Sequence, residues 1–157
     1  MKILKRRRIE SKTDYRKRLA LLKSETPRLV VRRTNRYIIA QIVQSEIAQD
    51  KVIAGVNSKI LLLKGWPEKA KGSLKSIPAA YLTGLLIGKM AKEKKISKVI
   101  LDIGMHRNIQ KSRIYAVLKG ALDSDLEIPH SKEALPEIDV TNEKIKAIFN
   151  KIKENLS

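Results

Sequence analysis

The chain has no cysteine, only two histidines and one tryptophan, and its aromatic residues make up 4% of the total. Without cysteine there can be no disulfide, no thiolate metal site and no cysteine nucleophile. With so few aromatics, the core must be built from Leu, Ile, Val and Ala. No apolar run is long enough to span a membrane, because the best one, residues 77–90, is interrupted by Pro78, Thr83, Gly84, Gly88 and Lys89. Charge stands near the N-terminus where a signal peptide would need an apolar stretch, so the expected setting is cytoplasmic, with no membrane partner. None of the glycine-rich phosphate loops or nucleophile elbows occurs. Neither His106 nor His130 has a partner at metal-ligand spacing. No cofactor, metal or small-molecule substrate is expected.

What the sequence has in excess is positive charge. The net charge is +18 over 157 residues, and its distribution is uneven. Residues 1–36 hold 14 Lys and Arg against 3 acids, residues 37–119 hold 15 against 5, and residues 120–157 hold 5 against 8. Nine of the eleven arginines lie in the first 36 residues. Arginine's planar fork grips phosphate through two hydrogen bonds and stacks on bases, which lysine cannot do. A polyanionic partner explains this skew better than a need for solubility, and nucleic acid leads.

The length favours one domain, which buries about 70% of the surface of its unfolded chain. Residues 1–26 read as a basic arm and helix, 27–128 as an α/β RNA-binding body, and 129–157 as a C-terminal extension with a helix. The first dozen residues carry no helical apolar stripe and predict an extended arm. A helix follows, capped by Thr13, with Asp14 at its positive end and Tyr15, Leu19 and Leu22 on one face; Thr26-Pro27 stops it. The runs LVVRR and RYIIAQIVQ, around a Thr34-Asn35 turn in which Asn suits the left-handed conformation, predict a hairpin. A third strand spans residues 51–57. Residues 58–76 are the least readable: Leu61 to Leu63 look buried, and Gly65-Trp66-Pro67 and Gly72-Ser73 mark turns. A helix from Pro78 to about Lys95 carries small residues suited to close packing on a sheet. Lys98 to Gly104 reads as a buried parallel strand. Further helices are expected from Ser112 to Leu122 and from Thr141 to Asn155, the last with Ile145, Ile148, Phe149 and Ile152 on one face. The helix between the third and fourth strands implies a parallel crossover. The fold class is α/β, a mixed sheet combining an antiparallel hairpin with a parallel strand and covered by helices.

Four groups of residues fit RNA. Lys5, Arg6, Arg7 and Arg8 can follow a phosphate backbone, although a basic run can also be merely solvated. Tyr15, with Arg16 and Arg18, suits base stacking beside phosphate contact; equally, Tyr15 can pack on Leu19. Arg32, Arg33, Asn35, Arg36 and Tyr37 concentrate at the hairpin tip, more charge than protection of a sheet edge requires. The loop holding His106, Arg107, Lys111, Ser112 and Arg113 follows a strand and opens a helix, where α/β sheets bind ligands. The alternative chemistry is a metal-dependent nuclease, with Asp102 as a carboxylate ligand joined by Glu46, Asp50 or Glu93. An accessory nucleic-acid-binding protein is a third possibility.

Four stretches in order, RLVVRRTNRYIIAQI from Arg28, PAAYLTGLLIGK from Pro78, VILDIGMHR from Val99 and SRIYAVLKGALDSDLEIPHS from Ser112, resemble one family. It comprises the large-subunit ribosomal proteins numbered eighteen in bacteria and five in eukaryotes, and the resemblance spans roughly residues 3–136. The LEIPHS segment and the acidic tail resemble the archaeal form. The resemblance implies a ribonuclease-H-like topology, no active site, and a place in the ribosome at the central protuberance. The partners it implies are 5S rRNA, 23S rRNA and neighbouring large-subunit proteins. The arm, the hairpin from Arg32 to Tyr37 and the loop from His106 to Arg113 match the family's RNA-facing segments. Residues 64–76 depart from the family pattern, and no RNA contact is assigned there.

Overall fold

Alternation of apolar and polar residues dictates the sheet. In the computed structural model, which describes residues 4–10, 12–46, 49–138 and 143–156, β1 (Arg28–Arg33), β2 (Ile38–Glu46), β3 (Gln49–Asn57) and β4 (Ile100–Asp102) lie in the order β3-β2-β1-β4. The first three are antiparallel neighbours, and β4 runs parallel to β1, with Leu29 opposite Leu101 and Val30 opposite Asp102. Leu29, Val31, Ile38, Ala40, Ile42, Ala54 and Val56 are buried in the core. The alternate residues Arg28, Val30 and Arg32 point to the other face.

The core side is covered by α3 (Ile77–Glu93) and α4 (Arg113–Leu122), α3 packing on β2 and β3 and α4 on β1. The crossover through α3 therefore carries the chain past two strands, and β4 lands at the edge beside β1 rather than in a buried central position. Beyond β4, Lys98 bridges Glu127, so the segment after α4 continues the pairing at that edge. The small residues of α3 serve a helix, not the sheet. A side chain at Gly84 would collide with the Val117 carbonyl, and one at Gly120 with the Tyr81 carbonyl, so each helix presents bare backbone to the other. This contact fixes where α4, and the loop before it, can sit.

Several local expectations need correction. The arm is not extended where described: α1 (Arg6–Ile9) forms a single helical turn. In α2 (Tyr15–Leu22) the cap is Asp14, whose carboxylate accepts from the N–H groups of Arg16 and Lys17, rather than Thr13. Its apolar stripe does not enter the core, since Leu19 is 58% exposed. The hairpin turn is closed by Thr34, whose hydroxyl both donates to the Tyr37 carbonyl and accepts from the Tyr37 N–H. With its ends tied in this way, Asn35 needs no left-handed backbone and has none.

In the unreadable stretch, two short 3-10 turns bury Leu61, Trp66 and Leu74 while Leu63 is left in solvent. The indole N–H of Trp66 donates to the Ser73 hydroxyl, which satisfies its one polar atom inside. The last helix, α5 (Glu143–Leu156), docks on α3 through buried Phe149 and Ile152, with the Phe149 ring 5.7 Å from that of Tyr81. The expected start of this helix at Thr141 and the side chain of Ile145 lie outside what is described.

Candidate nucleic-acid interface

The arginines fall into two populations, one bridged by acids and one not. Arg28 opens β1 and is 2% exposed, which demands that its charge be compensated. It is compensated twice. One guanidinium nitrogen donates to Asp102 Oδ2 at 2.7 Å, and the other to Asp50 Oδ1 and the Ser45 hydroxyl, each at 2.9 Å. Asp50 also accepts from Arg18 of α2 at 2.9 Å. Asp102 accepts from Arg32 at 3.2 Å and from the Gly104 N–H at 2.8 Å. A chain Arg18–Asp50–Arg28–Asp102–Arg32 thus ties α2 across the sheet to the loop after β4. Burial pushes the Asp50 carboxyl up, but the Ser45 hydroxyl and the Arg18 and Arg28 charges outweigh it and hold Asp50 below its ordinary value.

This arrangement corrects two expectations. Both oxygens of Asp102 are occupied by arginines and a backbone N–H, so Asp102 anchors a turn and an ion-pair chain rather than offering a carboxylate to a metal. Asp50, its supposed partner, has one oxygen taken by Arg18, Arg28 and the Ser45 hydroxyl together. Among the described residues no cluster of three His, Asp or Glu is placed to hold a metal ion. Arg18 and Arg32, both read as phosphate ligands, are part of the internal chain, although their side chains remain 30% and 38% exposed.

At the other end of β1 the picture reverses. Arg33 has its backbone N–H bound to His106 Nε2 at 3.2 Å, which stitches the hairpin to the loop after β4. Gly104, with φ +59°, allows this loop to turn, and the Arg32 guanidinium lies against it where a side chain would sit. Burial, and then the charges of Arg32 and Arg33, push His106 below its ordinary pKa. Its ring is neutral near pH 7, and because Nε2 accepts, the proton resides on Nδ1.

A cleft of about 350 Å³ opens here, lined by Arg33, Arg107, Arg113, His106 and Ser112, with Ile77, Ile109 and Ile114 as its apolar part. Among the described residues the guanidinium groups of Arg33, Arg36, Arg107 and Arg113 have no partner. Five of the expected contacts therefore line one cleft: Arg33, His106, Arg107, Ser112 and Arg113. Asn35, Arg36 and Tyr37 stand on the turn beyond Arg33. Lys111 is in the same loop, but its N–H is tied to the Ala134 carbonyl and its side chain does not line the cleft.

The arm belongs to the opposite end. Lys5 sits over the Tyr15 ring, 4.5 Å from its centroid, while Leu19 on the same helix is 58% exposed. Arg6 and Lys12 pair with Glu10, and Arg7 donates to Thr13. Arg8 and Arg16 are exposed. Because α2 is pinned near the start of β1 through Arg18, the two basic groups are separated by that strand, about 17 Å at roughly 3.3 Å per residue.

Residue reasoning missed Arg28 and the three isoleucines. Arg28 looks like one more basic residue in the sequence, and its acid partner stands 74 positions away. The isoleucines come from three separate segments, which only the helix packing brings together.

A family model for ribosomal large subunit proteins 60S L5 and 50S L18 matches residues 1–96 and 88–131. The chain belongs to this family. A large ribosomal subunit protein uL18 from Korarchaeum cryptofilum (strain OPF8) is 49% identical over 154 residues, covering 98% of this chain and 77% of that protein. Another uL18, from Aeropyrum pernix, is 47% identical over 132 residues, covering 83% and 60% respectively. Membership in this ribosomal family accounts for a chain with unpaired arginines at one end of its sheet and a basic arm at the other, and the relatives are archaeal, as the C-terminal LEIPHS segment suggests.

Proposed function

We propose that this protein binds 5S rRNA and attaches it to 23S rRNA at the central protuberance of the large subunit, beside neighbouring ribosomal proteins in the cytoplasmic ribosome. It acts as a structural part, not as an enzyme. The observation that carries this reading is the set of unpartnered arginines at the hairpin and the loop after β4, in a chain of a ribosomal family. An acid-free arginine cluster on a rigid sheet end is pre-organised to neutralise phosphates, and A-form RNA offers mainly backbone and shape to such a surface. In this reading residues 1–26 act as an RNA-following arm, 27–128 as the binding body of ribonuclease-H-like topology, and 129–157 as an extension. The cleft residues, Asn35, Arg36, Tyr37 and Lys111 contact RNA at one end, and Lys5 to Arg8, Tyr15 and Arg16 contact it at the other. Arg18 and Arg32 contribute through their exposed edges.

The test is a salt-titrated binding assay against 5S rRNA, a structured control RNA of similar length and a duplex DNA. Preference for 5S rRNA by about a thousandfold, within the range of cognate sites, is expected. Equal affinity for all three, collapsing together as salt rises, would remove the 5S assignment.

A further inference from the structure

The cleft beside His106 has a composition that phosphate binding alone does not explain. Its volume, about 350 Å³, stands at the small end of the range of ligand clefts, about 300–1,000 Å³. A duplex cannot enter such a space, since its bases are stacked and its edges turned inward. A single extruded residue can. The lining joins three guanidinium groups without acidic partners to three isoleucines and one imidazole, with no carboxylate among them. An inorganic anion would use the arginines and leave the isoleucines facing water. An acidic peptide would also satisfy the arginines, but it supplies no flat apolar ring for the imidazole and isoleucines to hold.

We propose that this cleft takes one unstacked ribonucleotide, its base held against His106 and the isoleucines and its phosphate by Arg107 and Arg113; this rests on the RNA-binding reading and narrows it. The geometry of His106 supports the base side. With Nε2 accepting from the Arg33 N–H, the ring that lines the cleft is fixed in orientation and keeps its Nδ1–H for a ligand. Stacking on histidine is a common way to hold splayed-out RNA bases. Ser112, which precedes α4, does not use its hydroxyl to cap that helix and is free to serve the sugar or phosphate. Hairpin and loop are stitched together before any ligand arrives, so little ordering is required on binding.

The experiment uses the full chain, with isoleucine methyls and the histidine ring observed by NMR. It is titrated with adenosine and uridine 5′-monophosphate and, separately, with inorganic phosphate. Both nucleotides are expected to shift the methyls of Ile77, Ile109 and Ile114 and the His106 ring, with phosphate alone leaving the methyls unmoved. Arg107→Ala and Ile109→Ser, both at exposed positions where folding is not at stake, should each weaken nucleotide binding about tenfold. If phosphate reproduces every shift, or Ile109→Ser changes nothing, the cleft is an anion site and the proposal fails. It fails also if the nucleotides produce no shift. The same samples are assayed against 5S rRNA. Tight 5S binding with a silent cleft overturns only this proposal, whereas nucleotide binding without 5S preference overturns only the 5S assignment.

Discussion

β1 carries arginine at both ends, and the two ends use it in opposite ways. At its start Arg28 is enclosed, with two carboxylates and a hydroxyl on its nitrogens. At its finish Arg33 is exposed and has only its backbone N–H engaged, by His106. Five residues apart, the same side chain is a structural ion in one place and an open cation in the other. What decides is whether the sheet brings an acid alongside. β4 supplies Asp102 and the start of β3 supplies Asp50, both near the first end, while the loop after β4 offers a histidine and more arginines to the second. Charge in a basic protein thus has to be sorted into compensated and uncompensated before it is read as binding surface.

The largest expected effect breaks the first end. Arg28→Ala leaves Asp102 and Asp50 without their shared partner, and loss of one member of a buried ion pair costs about 3–5 kcal/mol. For a domain of this size that lowers Tm by about 10 °C. Arg107→Ala, with nothing compensating it, should stay within about 0.5 kcal/mol of the parent. Thermal melts of the two variants side by side check this; equal losses would erase the distinction between the ends.

A smaller effect separates them by pH. His106 has its folded pKa lowered by burial and by Arg32 and Arg33. The unfolded chain therefore binds the proton first, so the stability this site gives is full above pH 6.5 and declines as pH falls below it. Asp50 has a lowered folded pKa as well, and its contribution is full above pH 3.8 and lost only in acid below that. Denaturant titrations between pH 8 and pH 5 should show a decline that His106→Gln flattens and Asp50→Asn does not.

The smallest effect concerns the arm. Lys5→Ala removes an exposed cation–π contact with Tyr15, worth about 0.5–1 kcal/mol. The melt should barely move. A large loss would mean that the arm helps hold the fold and does not only extend from it.

Much of this was legible in the residues, for reasons that also mark the limit. Strand alternation in LVVRR and RYIIAQIVQ, the proline at the start of α3 and the periodicity of α4 are local signals, and the elements stand close to where they point. Arg33 and Arg36 on the hairpin, and Arg107 and Arg113 in the later loop, were visible as two basic groups, but their meeting was not. What could not be read was long-range. The small residues of α3, Gly84 among them, look like sheet-packing residues until α4 is seen lying against α3. That Arg18 and Arg32 also bind Asp50 and Asp102 inside the fold was equally hidden, because those acids stand 32 and 70 positions away. Asp102 looks like a metal ligand for the same reason, because a lone carboxylate on a central-looking strand gives no hint of the buried guanidinium it meets. The family resemblance carried the function further than residue chemistry did, since an arginine cluster alone says polyanion and not ribosome.

The role of the uncompensated arginines at the finish of β1 as RNA contacts is what the proposed function rests on. It is tested most directly by the salt dependence of 5S rRNA binding for the parent and for the triple variant Arg33→Ala, Arg107→Ala, Arg113→Ala. Each lost phosphate contact should reduce the slope of log affinity against log salt by about 0.7–0.9. The expected slope is shallower by about 2 to 3, with an unchanged melting temperature. An unchanged slope in a folded triple variant would contradict it and would place the phosphate contacts elsewhere on the chain.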